Sequence, residues 1–271
     1  MLNLTRSNSK KQDLRFETYN EAVNSLAAEE RRNWLLEYLR ASKTITLTEA
    51  ADALGVSEMT VRRDLNGLER GGIARRVRGG AVYSGPVRFQ GRERSHADEK
   101  QRVAEKLLPL VPDQGVIAFD SSTTMHRLAQ MLSPMGDLIV VTNGLVTFQV
   151  LQDRPGVTAI LTGGAADKRS DSLIGPVATA CLDGMRFTQF FASAAAVDLR
   201  ACYEDTLEEA EMKRAFARSS AQIIIGVHSE KLGDNATAIA IQLNAVDILA
   251  TEREPNEPEL EPYRGLVREF R

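Results

Sequence analysis

The stretch Ser57-Glu58-Met59-Thr60-Val61-Arg62-Arg63 carries the clearest chemistry in the sequence, and Arg75, Arg76 and Arg78 follow it closely. A guanidinium can bond both acceptors of a guanine in a major groove, and a threonine can touch a thymine methyl. Good bidentate pairs discriminate between bases by roughly 1–3 kcal/mol. From Met59 to Arg94 there are nine arginines against three acids, although the whole chain has a formal net charge of -3. Such local density matters because screening cuts the field off beyond about 10 Å. The residue types therefore point to double-stranded DNA as a partner of this segment.

A second set of candidates follows short apolar runs. Asp120, Ser121, Ser122, Thr123 and Thr124 come after GVIAF, Thr142 and Asn143 after DLIVV, and Gly163 and Gly164 after GVTAILT. His228, Ser229, Glu230 and Lys231 come after QIIIGV. Hydroxyls and free amides at a helix start can cradle an anion, glycine lets backbone approach a ligand, and lysine supplies a cation. Each feature also has a plain structural use, since Ser and Thr cap helices and Gly-Gly makes turns. Their recurrence at four strand ends favours a shared site.

Elements that could position these groups are legible from periodicity. Trp34, Leu35, Tyr38 and Leu39 form one helical stripe, and Leu47, Ala50, Ala51 and Leu54 form a second before Gly55. Ser57 can cap a third helix that buries Val61, Leu65 and Leu68 and turns Glu58, Met59, Thr60, Arg62 and Arg63 outward. GGIARRVRGGAVY then alternates as a hairpin, with Ile73, Val77 and Val82 apolar and arginines around Gly79-Gly80. This order describes a winged helix-turn-helix.

Further along, GVIAFD, DLIVVTNG, GVTAILTGG, QFFASAAAVD, QIIIGVHS and VDILATE alternate with helix-length segments. Apolar strands separated by helices predict an α/β domain with a doubly wound, mainly parallel sheet. In such sheets ligands collect at the carboxyl ends of the strands. The expected organisation is an arm over 1–28, a reader over 29–84, a linker over 85–97, a sensor domain over 98–252 and a tail over 253–271. The tail begins Pro- and Glu-rich and should be extended there.

Several classes are disfavoured. The start of the chain lacks the apolar core of a signal peptide and no apolar run reaches the roughly 20 residues of a membrane span, so a cytoplasmic protein is expected. Cys181 and Cys202 are the only cysteines and have no metal-ligand spacing, so neither a metal nor a disulfide framework is indicated, and no cofactor is expected. His96, His126 and Cys202 have no partner spacing and read as structural or solvated.

VSEMTVRRDLNGLERGGIARRVRGGA resembles the signature of the DeoR family of bacterial sugar-responsive regulators. The likeness runs on through Glu99-Lys100, the Asp120 to Thr124 loop, Thr142-Asn143, Gly163-Gly164 and Lys213, covering roughly residues 30 to 252. It implies DNA contacts from Ser57, Thr60, Arg62 and Arg63, support from the wing arginines, and a sensor domain similar to ribose-phosphate isomerases that has lost catalysis. It also implies a phosphorylated sugar or related metabolite as effector. The sequence departs from the family at Ser122, where the loop usually has Gly, at His228, where a late strand usually ends in Asp, and at Glu230, where Ser is usual. Ala194 to Ala196 fill a stretch where the family has a glycine.

The resulting expectation is a repressor of a carbohydrate-metabolism operon, released from its operator by the effector. DNA symmetry adds a homodimer or homotetramer, since one module covers only a few base pairs. The alternative is a sugar-phosphate isomerase-like enzyme fused to a DNA module. That reading needs a base in the site, for which Asp120 and His228 are conceivable, but QFFASAAAVD carries no acid before Asp198.

Overall fold

The structure, a computed structural model, describes residues 30–39, 41–70, 74–83 and 89–271. The expectations placed on residues 1–28, on Ile73 and on 85–88 lie outside the described residues. The chain divides into two compact units, 1–87 and 88–271.

In the first unit, helix α1 occupies residues 30–39, and strand β1 (Thr44–Thr46) leads into α2 (Leu47–Leu54). Thr46 caps α2 reciprocally with Glu49: its Oγ1 accepts the Glu49 amide at 3.2 Å, and Glu49 accepts the Thr46 amide at 2.9 Å. After Gly55 comes α3 (Glu58–Arg70), then β2 (Ala74–Val77) and β3 (Gly80–Tyr83). Leu35, Leu39, Leu47, Ala50, Val61, Leu65, Leu68, Ala74 and Ala81 form the core. Asp64 is buried beneath this unit's surface and bonds the Arg31 guanidinium at 2.8 Å, so its charge is paired.

The wing differs from the expected alternation. Its inward positions are Ala74 and Ala81, whereas Val77 is 36% exposed. The reason is a third strand: β3 pairs antiparallel with both β1 and β2. A side chain at Gly80 would meet the Ile45 carbonyl at 2.1 Å, so small residues allow β1 and β3 to close.

The second unit opens with α4 (Phe89–Arg94) and α5 (Ala97–Leu107). This corrects the reading of 85–97 as a connector: residues 89–94 are helical, and Phe89 is buried. The absence of apolar periodicity misled because one aromatic anchors a helix of fewer than two turns. There follow β4 (Gln114–Phe119), α6 (Thr123–Met131), β5 (Asp137–Thr142), α7 (Leu145–Leu151) and β6 (Val157–Leu161). A hairpin, β7 (Ala165–Asp167) and β8 (Ser172–Ile174), precedes α8 (Pro176–Ala180) and β9 (Phe187–Ala192). Then come β10 (Ala196–Val197), β11 (Ala201–Glu204), α9 (Leu207–Arg218), β12 (Ser220–Gly226), β13 (Ala238–Gln242), β14 (Ile248–Ala250) and β15 (Glu269–Phe270).

The main sheet has seven strands in the order β15-β14-β12-β9-β4-β5-β6, and every pairing in it is parallel. Apolar groups cover both faces. One face packs Val103, Leu107, Met125 and Leu128, and the other packs Ala210, Met212 and Phe216. That arrangement explains why the strands are apolar throughout. The seventh strand, β15, belongs to the segment expected as a tail; Leu260 and Tyr263 bury ahead of it and carry it back to pair with β14.

Candidate functional sites

The reader places its expected side chains with a clear division of work. Ser57 caps α3, its Oγ accepting the Thr60 amide at 3.2 Å and lying 3.0 Å from the Thr60 hydroxyl. Glu58 is turned aside, accepting a hydrogen bond from the Thr48 hydroxyl at 2.7 Å. Met59, Arg62 and Arg63 are exposed, Met59 at 66%, because Val61, Asp64, Leu65 and Leu68 take the inner face. In the wing, Arg75 and Arg78 are exposed. Arg76 behaves differently: its guanidinium bonds Asn66 at 2.5 Å, and its amide donates to Glu69 at 2.8 Å. It clasps α3 to β2.

In the second unit, strand order reverses between β4 and β9, the point at which parallel α/β sheets form their ligand crevice. Asp120 stands there. Its amide donates to the Phe191 carbonyl at 3.1 Å, and its carboxylate accepts the amides of Ser122 and Ser193, each at 2.9 Å. The buried Lys213 of α9 donates to Asp120 and pairs with Glu204 at 3.2 Å. Burial opposes the Lys213 charge, but Asp120 and Glu204 outweigh it and raise the ammonium's pKa. Burial pushes Glu204 up to about 7 against the pull of Lys213.

Glu209, one turn before Lys213, accepts the Ser172 hydroxyl at 2.8 Å and the Ser121 hydroxyl at 3.5 Å. Ser172 opens β8, where Asn143 donates its amide to the Leu173 carbonyl at 3.2 Å. Thr142 is fully buried and accepts the Gly144 amide at 3.1 Å. One hydrogen-bonded chain thus joins the ends of β4, β5, β8 and β11 to α9. Ser122 caps α6, its Oγ accepting the Met125 amide at 3.2 Å. Thr123, Thr124, Gly163 and Gly164 are not tied into that chain among the described residues. Gly164, at φ +113°, makes a backbone turn in which a side chain would meet the Ile174 carbonyl at 2.7 Å.

A cation-rich flank adjoins this network. Lys231 donates to the Ala194 carbonyl, and burial lowers its pKa to about 8, with Arg92 and Lys213 adding to the effect against Glu204. Lys100 is 5% exposed and donates to the carbonyls of Arg92 and Ser95, at 2.5 and 2.7 Å. Burial, then repulsion from Lys231, Arg92 and Arg127, lowers its pKa to about 7. His228 stacks on His96 with ring centroids 4.3 Å apart, and burial plus Lys231 pushes it down to about 2, so it is a neutral imidazole.

Asn143 Oδ1, Ser193 Oγ and His228 Nδ1 are buried without a hydrogen-bond partner among the described residues. A cavity of about 320 Å³ lies elsewhere, lined by Ala221, Gln222, Asp247, Ile248, Arg268 and Glu269 at the opposite ends of β12 and β14.

Sequence reasoning missed Arg92, Ser193, Glu204 and Glu209 as members of the site. Glu209 was recoverable, because it lies four residues before Lys213 and so shares its helix face. Ser193 and Glu204 carry no local signal; only strand order brings them to Asp120. Asp198, the first acid of the QFFASAAAVD stretch, is a turn-former that accepts the Tyr203 hydroxyl at 2.8 Å and two backbone amides.

A helix-turn-helix reader followed by a parallel α/β domain with a polar site at its switch point defines a DNA-binding regulator with a sensor domain. Residues 31–86 match the DeoR-like helix-turn-helix domain and residues 95–253 the DeoR C terminal sensor domain. The chain belongs to the DeoR family, and it is a transcriptional regulator and not an enzyme. It is 30% identical to the HTH-type transcriptional regulator GolR of Listeria innocua, over 84% of this chain and 92% of that protein. It is 29% identical to the lactose phosphotransferase system repressor of Staphylococcus aureus, over 84% of this chain and 93% of that one. Among solved structures, ribose 5 phosphate isomerase A from Neisseria gonorrhoeae aligns over 49% of this chain and 52% of its own, with 14% identity and a TM-score of 0.33. No helix among the described residues is long and apolar enough to cross a membrane.

Proposed function

We propose that this regulator is a cytoplasmic repressor of a carbohydrate-metabolism operon, released from its operator by a phosphorylated sugar. The observation that carries this reading is the two-ended chemistry of the sensor site. Lys100 and Lys231 lie near each other, Lys231 also near Glu204, and the hydroxyls of Ser121, Ser122, Thr123 and Thr124 follow β4 at the switch point; cations and hydroxyls together suit a phosphate. Asp120, Glu204 and Glu209 gather acceptors, which suit sugar hydroxyls. Asn143 and His228 add buried polar atoms for orientation, and the Gly163-Gly164 turn brings backbone amides to the same strand ends. The lactose repressor among the relatives supports a sugar-linked operon.

At the operator, Met59, Thr60, Arg62 and Arg63 read bases, with Ser57 holding the helix start, while Arg75 and Arg78 grip phosphates. Arg76 acts by fixing the wing. The working organisation is an arm over 1–28, a reader over 29–84 and a sensor over 98–252, to which α4 ahead of it and β15 behind it are added. Homodimers or homotetramers supply the two readers that a symmetric operator needs.

The test is a thermal-shift panel of hexose, pentose and tetrose phosphates against their unphosphorylated parents. A cognate phosphate at a hundred times its Kd should stabilise the protein by about 2.7 kcal/mol, and the parent sugar should do far less. Stabilisation by parent sugars alone would falsify the phosphate assignment.

A further inference from the structure

We infer that the elbow between α4 and α5 is the input of the switch: an anion arriving at the sensor site takes the Lys100 ammonium away from the main-chain carbonyls that hold α4 in place. The inference rests on the phosphate reading above and adds how that site is coupled to the rest of the chain.

Lys100 is a buried cation that forms no ion pair among the described residues. Its ammonium is spent on two neutral acceptors, the carbonyls of Arg92 and Ser95, which belong to the end of α4 and the turn after it. A dianion adds a Coulombic attraction that a neutral carbonyl lacks, so its arrival draws the ammonium toward it and weakens the two carbonyl bonds. The neighbouring cations Lys231, Arg92 and Arg127 make the exchange more favourable, since they repel Lys100 in the free protein and attract the anion.

The other ties on α4 run to the same site. Arg92 donates to the Ser170 carbonyl at 3.2 Å, and Ser170 lies 2.7 Å from Ser172, which bonds Glu209. Arg127 donates to the Glu93 carbonyl at 2.9 Å and to its carboxylate at 2.7 Å. Phe89 meets His126 edge-on at 5.1 Å. His96, in the left-handed region at φ +52°, stacks on His228. A short helix held in part by Lys100 and Arg92, and followed by a residue in the left-handed region, is less firmly fixed once the Lys100 fastener is withdrawn. In chain order α4 is the first described element after β3.

Amide hydrogen exchange over residues 89–96 of the full chain tests this, with binding followed in parallel by calorimetry. The probes are inorganic phosphate and a hexose phosphate. Where a probe binds, exchange in 89–96 should rise by about tenfold. Lys100→Met should raise exchange there without any ligand, and further addition of phosphate should leave it unchanged. Binding without a change in 89–96 overturns the relay and leaves the phosphate reading intact. Exchange in Lys100→Met equal to that of the parent protein overturns it as well. If neither probe binds and no hexose, pentose or tetrose phosphate of the panel does, the phosphate reading fails and the relay fails with it for want of an input.

Discussion

At the scale of single residues, the proposed separation of base contact from support in the reader is measurable. Arg62→Ala should cost about 1–3 kcal/mol on a selected operator and much less on random duplex, read by equilibrium binding at fixed salt. Equal losses on both would assign Arg62 to phosphates. Arg75→Ala and Arg78→Ala should each reduce the salt slope of binding by about one. Arg76→Ala should instead lower the melting temperature, because it removes the guanidinium that bonds Asn66 and ties the wing to α3. In the sensor, Lys213→Met strands Asp120 as a buried carboxylate without its cation, and a loss of about 3–5 kcal/mol in urea unfolding is expected.

At the scale of elements, the ends of β4, β11 and α9 set a titration that the whole fold reports. Glu204 holds its proton in the folded state up to about pH 7, while an unfolded glutamate has lost it near its ordinary value. In that window the native state binds more protons, so stability falls as pH rises. Glu204→Gln should flatten the melting temperature between about pH 5 and 7, and an unchanged slope would place the titration elsewhere. Anion binding should likewise take up protons near pH 8, because Lys100 and Lys231 are partly deprotonated there until an anion arrives. Calorimetry in buffers of different ionisation heats reads that uptake.

These elements were largely legible beforehand. The six apolar runs name six of the seven strands, and the caps Ser57 and Ser122 stand where hydroxyls precede helical stripes. Helix α4 was not legible, since it is anchored by Phe89 alone on the core side. Strand β15 was hidden as well, because a two-residue strand joins the sheet through the edge of β14 and has no pattern of its own. The acids of the site come from elements remote in sequence, so topology and not spacing assembles them.

For the whole molecule, two units share one chain, with base reading proposed for the first and metabolite sensing for the second. Regulation then requires the sensor's ligand to favour a state in which the readers lose their operator, which is a coupling free energy between two sites. A coupling of about 1.4 kcal/mol is a tenfold change in affinity, within reach of equilibrium binding. The most direct measurement is the affinity of the full chain for an operator recovered by selection from random duplexes, with and without each sugar phosphate of the panel. One phosphate should weaken operator binding at least about tenfold, while leaving the weak binding to random duplex nearly unchanged. Operator affinity that no sugar phosphate alters would contradict it.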